Sequence, residues 1–169
     1  MSNGFQGKIL RVNLSTGKIW NETPEPEFYR KYVGGWGFVA YYLFKELPPG
    51  IDPLSPENRL IFATGAYTGT RLSGSGRSAI GAKSPLTGGF GEADVGGFFG
   101  VELVNAGYDG IIVQGKAEAP VYLWIKDDQV EIRDAKATWG KDVVQTEEII
   151  KAELGDNNIR FAAIGRAGE

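Results

Sequence analysis

At 169 residues, with a formal net charge of −3, a pI near 5.2, 42% hydrophobic and 23% charged residues, the chain has the balance of one globular domain. It contains no cysteine and no histidine, which removes Ser-His-Asp and Cys-His nucleophile pairs, thiolate chemistry, zinc held by nitrogen or sulfur and any cysteine-held iron–sulfur cluster within it. The acidic balance offers no broad basic field for nucleic acid, no apolar run reaches the ~20 residues of a membrane span, and MSNGFQGK has no signal-peptide core, so a cytoplasmic protein with neither partner is expected.

Residues 8–14 set Leu10, Val12 and Leu14 on one face, and Ser15-Thr16-Gly17 turns into Lys18-Ile19-Trp20, which predicts an antiparallel hairpin. Thr23-Pro24-Glu25-Pro26-Glu27 supplies the cap, prolines and early acids of a short helix through Val33. Gly34-Gly35-Trp36-Gly37 interrupts it before a second helix over 38–47, which Pro48-Pro49-Gly50 stops; residues 59–63 then read as a buried strand. From Gly65 to Gly100 about a third of the residues are glycine, against about 7% in proteins generally. Arg77, Lys83 and Phe90 punctuate this zone, a texture suited to backbone that approaches a ligand closely while a few side chains fix it. A helix over 97–106 ends at Gly107, strands follow at 111–113, 121–125 and 130–132 around an Asp127-Asp128 turn, and 142–154 forms an amphipathic helix with Asp142 and Gln145 at its start and Gly155 at its stop. Residues 159–164 close as a strand. Hairpins early and helices between strands later predict an α+β fold with mixed and antiparallel sheets and a few helices, not a doubly wound sheet.

The segment RLSGSGRSAIGAKSPLTGG, from Arg71 to Gly89, fits neither common phosphate-loop grammar. Gly76 and Gly81 have the Walker spacing, but Ala82 intervenes before Lys83-Ser84 and rotates the lysine away. Gly74-x-Gly76-x-x-Ala79 follows a strand, with the acids Glu92 and Asp94 further on, as in a dinucleotide fingerprint. Pro85, Gly88, Gly89 and Gly91 leave no room for the helix that fingerprint must open. Taken alone, the zone reads as loops between short strands.

The flanking sequence is more specific. ILRVNLSTGKI, DPLSPENRLIFATGAYTGT, GRSAIGAKSPLTGGF, DVGGFFGVEL, AGYDGIIVQGKAEAPVYLWIKDDQVEIRDA, WGKDV and IGRAGE occur in this order. Together they resemble the N-terminal domain of the tungsten-containing aldehyde:ferredoxin oxidoreductases over essentially the whole chain. The resemblance implies a saddle-like base of sheets under a tungsten bis-pterin cofactor of the molybdopterin type. It also implies that other domains supply the cysteines of an iron–sulfur cluster and most of the substrate pocket, for oxidation of aldehydes to carboxylic acids with ferredoxin as acceptor. Residues 1–169 are then a single domain that stops short of a further Gly/Arg-rich cofactor segment, and the chain alone is expected to be inactive.

By the same resemblance Arg77, Asp94 and Gly96 are the cofactor-binding residues, with Arg77 on a pterin phosphate through its forked guanidinium. Asp94 falls where the family pattern has Asn. A backbone-carbonyl contact, for instance to a magnesium ion bridging the pterin phosphates, would survive that change, whereas a side-chain amide contact would not. The bland alternatives are a surface Arg77 paired with Glu92 and an Asp94 that caps the following helix. Trp20, Trp36, Trp124 and Trp139 read as core or interface, Tyr29, Tyr32, Tyr41 and Tyr42 as packing, and the Lys126-Asp127-Asp128 and Glu147-Glu148 charges as solvated. Two functions stay open: the cofactor cradle of a larger oxidoreductase, with its remaining domains or subunits as partners, and a stand-alone binding or assembly domain. In either case the exposed cradle predicts a homo-oligomer.

Overall fold

The computed structural model describes residues 4–165 and 168; residues 1–3 of the N-terminal reading, and Arg166, Ala167 and Glu169 of the IGRAGE motif, lie outside them. The elements are β1 (Ile9–Asn13), β2 (Lys18–Glu22), α1 (Pro26–Tyr32), α2 (Trp36–Glu46), β3 (Arg59–Thr64), β4 (Ser78–Lys83), β5 (Phe90–Val95), α3 (Phe99–Asn105), β6 (Gly110–Gln114), β7 (Val121–Lys126), β8 (Gln129–Asp134) and α4 (Val143–Leu154). A six-stranded sheet has the order β2-β1-β6-β3-β4-β5, and β7 and β8 form a separate hairpin. Only the β1–β6 pair is parallel; the other four pairs of the large sheet are antiparallel. This is the mixed α+β architecture the sequence predicts.

The period-two alternation of the strands divides the core. Ile9, Ile61, Ala63, Ala79 and Ile112 face α1 and α2 and pack with Phe38, Val39 and Tyr42. Leu10, Val12 and Ile111 point the other way, toward Leu103 of α3 and the half-buried Leu123, Ile125, Val130 and Ile132 of the β7–β8 hairpin. β1 and β6 are covered on both faces, so their central positions are apolar except for Arg11, whose charge is paired with Glu22 and Glu46. Tyr29, Tyr32, Tyr41 and Tyr42 pack among Phe28 and Phe38 as expected. At α4 the Asp142 carboxylate accepts from the Gln145 N–H at 2.8 Å and Gln145 reaches back to the Asp142 N–H, a capping box, while Gly155 closes the helix in the left-handed conformation.

One reading is sharpened and one expectation fails. The zone read as loops between short strands holds the β4–β5 hairpin, paired over six residues from Ser78↔Val95 to Lys83↔Phe90. Its glycines serve packing: a Cβ on Gly81 would sit 2.4 Å from Val39 Cγ1 and 2.9 Å from the Gly91 carbonyl oxygen, so α2 lies flat on β4 only because that side chain is missing. Conversely, residues 159–164 form no strand. Their apolar content matches one, but no edge of either sheet pairs with them, and an unpaired extended segment is not a strand.

Candidate functional site

Three chain segments meet where β3 ends, β4 begins and β5 ends. The first is the turn into α2. Gly34 has φ +80°, bridges Gly65, and would bring a Cβ to 2.4 Å from the Thr64 carbonyl oxygen; the Gly35 N–H donates to that same oxygen at 2.9 Å. A Cβ on Gly37 would lie 2.0 Å from the Tyr32 carbonyl oxygen. Glycines therefore clamp the start of α2 against β3 and α1, and Trp36 projects from that clamp. Its indole Nε1 donates to Asp94 Oδ1 at 3.0 Å.

The second and third segments are the two strands of the hairpin. Asp94 pairs with Ala79, whose side chain packs in the cluster with Val39 of α2, so Asp94 shares the α2 side of the sheet. Two steps further along this register, just past the last ladder pair Ser78↔Val95, Arg77 faces Gly96. Its Nε, Cδ and Cζ lie 3.9, 4.0 and 4.0 Å from where a Gly96 Cβ would stand, so the guanidinium lies over bare backbone. The loop between β3 and β4 is anchored beneath it: buried Thr68 accepts from the Gly65 N–H at 2.8 Å and donates to the Arg77 carbonyl oxygen at 2.8 Å.

The structure thus brings Arg77, Asp94 and Gly96 together at one end of the sheet and adds Trp36, which the sequence reading put in the core or an interface. Trp36 is half exposed, at 51%. Its glycine flanks were visible in the sequence; the partner 58 residues away was not. Arg77 is exposed, and among the described residues its guanidinium has neither an ion-pair nor a hydrogen-bond partner, so the Glu92 pairing is not made. Nor does Asp94 cap α3, whose N-cap is Phe98 with no side-chain cap bond. Lys83, displaced from the Walker position, donates instead to the Ile51 carbonyl oxygen at 2.6 Å.

Two carboxyls shifted in opposite directions lie within the fold. Burial pushes the Asp109 carboxyl up, against the pull of N–H donors from Gln6, Gly7 and Lys8 at 2.7, 2.7 and 3.1 Å. This carboxylate ties the N-terminal segment to β6. Burial would also raise Glu46, but hydrogen bonds and charge from Arg11 and Arg59 outweigh it and hold its carboxyl below the ordinary range. Among the described residues no group of three or more Asp, Glu, His or Cys could hold a metal ion on protein ligands alone. What the sheet end offers is an unpaired guanidinium, glycine backbone and one oriented carboxylate, a donor set suited to oxyanion groups and an accompanying cation.

Fold and site together define an α+β domain built on a mixed six-stranded sheet, with its candidate ligand groups gathered at one sheet end. The chain belongs to the aldehyde ferredoxin oxidoreductase N-terminal domain family, whose model matches residues 9–169. It is 55% identical over 166 residues to the tungsten-containing aldehyde ferredoxin oxidoreductase of Pyrococcus horikoshii and 54% identical to that of Pyrococcus abyssi, in each case across 98% of this chain and 27% of the relative. The WOR-like subunit of an aliphatic sulfonate oxidoreductase from Pyrococcus furiosus is 37% identical over 188 residues. A solved structure of the active site complex BamBC of benzoyl coenzyme A reductase, in complex with 1,5-dienoyl-CoA, superposes with a TM-score of 0.96 at 43% identity, covering 99% of this chain and 26% of that one. The chain thus spans 27% of the length of the first two relatives, and no helix among its described residues is long and apolar enough to cross a membrane.

Proposed function

We propose that residues 1–169 form the cofactor-cradling domain of a tungsten-dependent oxidoreductase that converts aldehydes to carboxylic acids with ferredoxin as electron acceptor. Arg77, Asp94 and Gly96 bind the phosphate end of a tungsten bis-pterin cofactor. The observation that carries this reading is the Arg77 guanidinium, held over Gly96 by a tied-down loop and, among the described residues, without an ion-pair or hydrogen-bond partner. Its planar fork matches two phosphate oxygens, and the missing side chain at Gly96 lets the ligand approach the backbone. Asp94 would contribute a carboxylate oxygen to a magnesium ion accompanying the phosphates; without a cation its charge would repel them. When bound, the cofactor supplies the two-electron chemistry. This chain's residues anchor and orient it, and the iron–sulfur ligands come from other domains or subunits, since the chain has no cysteine.

The relatives' names support this reading, and they bear on substrate choice. The sulfonate and benzoyl coenzyme A enzymes share this fold while their names point to different substrates, which is consistent with specificity residing outside these residues. Removing the guanidinium should weaken cofactor retention by about 1.5–3 kcal/mol, the range for hydrogen bonds to charged groups, and Arg77→Lys should restore part of it. Tungsten content of the complete enzyme, measured for wild type, Arg77→Ala and Arg77→Lys, tests this; equal content in all three would overturn the assignment.

A second reading, a stand-alone binding or assembly domain, is favoured by one feature. Phe98 and Val143, both exposed, line an open groove with Ile159 and Phe161, an apolar surface suited to another domain, a partner subunit or a second copy.

A further inference from the structure

Trp36 stands out at the sheet end because its position is costly to build. Three glycines around it, Gly34, Gly35 and Gly37, take a left-handed backbone or a backbone contact that no side chain could share. The residue is nevertheless half exposed, so burial of apolar surface does not by itself account for the arrangement. The polar interaction it makes is the indole N–H to Asp94 Oδ1 at 3.0 Å. Asp94 is exposed on β5, near the sheet edge, where its carboxylate would otherwise turn freely. Among the described residues Oδ1 is its only engaged side-chain oxygen.

We propose that Trp36 is a positioning residue of the site: its indole N–H fixes one oxygen of the Asp94 carboxylate so that the other faces the divalent cation accompanying the phosphate on Arg77. This rests on the reading of Arg77, Asp94 and Gly96 as a phosphate and cation site. The choice of donor follows from its chemistry. An indole N–H is a neutral, donor-only group, so it orients the carboxylate without cancelling the charge the cation needs, as a lysine or arginine there would. Because the clamp at Gly34 and Gly65 fixes the indole in advance, the carboxylate is ordered before the cation arrives, and less freedom is lost on binding.

The test uses the full chain with inorganic pyrophosphate and Mn²⁺ as probes, reading pyrophosphate alone by calorimetry and bound Mn²⁺ by electron paramagnetic resonance. Trp36→Phe should weaken Mn²⁺ binding in the presence of pyrophosphate about tenfold, the scale of one hydrogen bond to a charged group, and leave pyrophosphate alone unchanged. Asp94→Asn should weaken Mn²⁺ in the same way, and adding Trp36→Phe to it should change nothing more, because the carboxylate through which Trp36 acts is gone. The ¹⁵N-labelled Trp36 indole resonance should shift on addition of Mg²⁺ with pyrophosphate. Wild-type Mn²⁺ affinity in Trp36→Phe, or additive losses in the double variant, would overturn the positioning role while leaving the phosphate site standing. Unchanged pyrophosphate binding in Arg77→Ala, or no pyrophosphate binding by wild type, would overturn the underlying reading and this inference with it.

Discussion

Arg11 sits on β1 where strand alternation turns a side chain toward the face beneath α2. It is 6% exposed and reaches Glu46 through two hydrogen bonds of 2.7 and 2.8 Å and Glu22 at 3.1 Å, while Arg59 donates to Glu46 at 3.0 Å and the Tyr42 hydroxyl to Glu22 at 2.8 Å. A carboxylate shared by two arginines has a folded-state pKa below its unfolded value. Its contribution is therefore present above the unfolded value and is lost as pH falls through the folded one. Glu46→Gln should cost about 3 kcal/mol at neutral pH, as when one partner of a buried pair is removed. The gap from wild type should close on acidification, as read by urea unfolding at a series of pH values. Equal stability at pH 7 would show the network to be incidental. Asp109 acts with the opposite sign: burial raises its carboxyl, so its contribution is fully present below the unfolded value and declines as pH rises through the folded one.

Among the elements, those whose determinants are local in sequence were legible. The β1–β2 hairpin announces itself by apolar alternation around Ser15-Thr16-Gly17, and α4 by the Asp142 and Gln145 pair that forms its capping box. Asp142→Ala should lower stability by about 1 kcal/mol, seen as a reduced thermal midpoint. The β4–β5 hairpin was hidden because the reason for its glycines lies in a distant element. Gly81 is small on account of Val39, 42 residues earlier, and nothing near it in sequence says so. Gly81→Ala should cost about 1–3 kcal/mol through overpacking against α2; a thermal midpoint equal to wild type would mean that the helix moves away freely. The same limit governed the site. Arg77, Asp94 and Gly96 were reachable through family resemblance, but the Trp36 contact arises from tertiary placement alone. Residues 159–164 show the converse: local apolar content suggested a strand, and pairing, which is not local, decided against it.

At the scale of the whole molecule, a well-covered sheet is accompanied by large apolar side chains left in solvent. Phe98, Val144 and Leu86 stand in solvent beside an otherwise well-packed sheet, and such surface promotes association. The isolated chain should be dimeric or larger by light scattering; a clean monomer across a wide concentration range would count against that expectation. Purified alone it should carry no iron–sulfur chromophore, since it has no cysteine to ligate one, and a cluster absorption band without a partner subunit would refute this. The most direct test of the cradle is the position of Arg77 in an experimental structure of the complete, cofactor-loaded enzyme. The guanidinium should lie over Gly96 with its nitrogens about 2.7–2.9 Å from pterin phosphate oxygens, the range of a charge-assisted contact. An Arg77 paired with a protein carboxylate, with the phosphates held elsewhere, would contradict it.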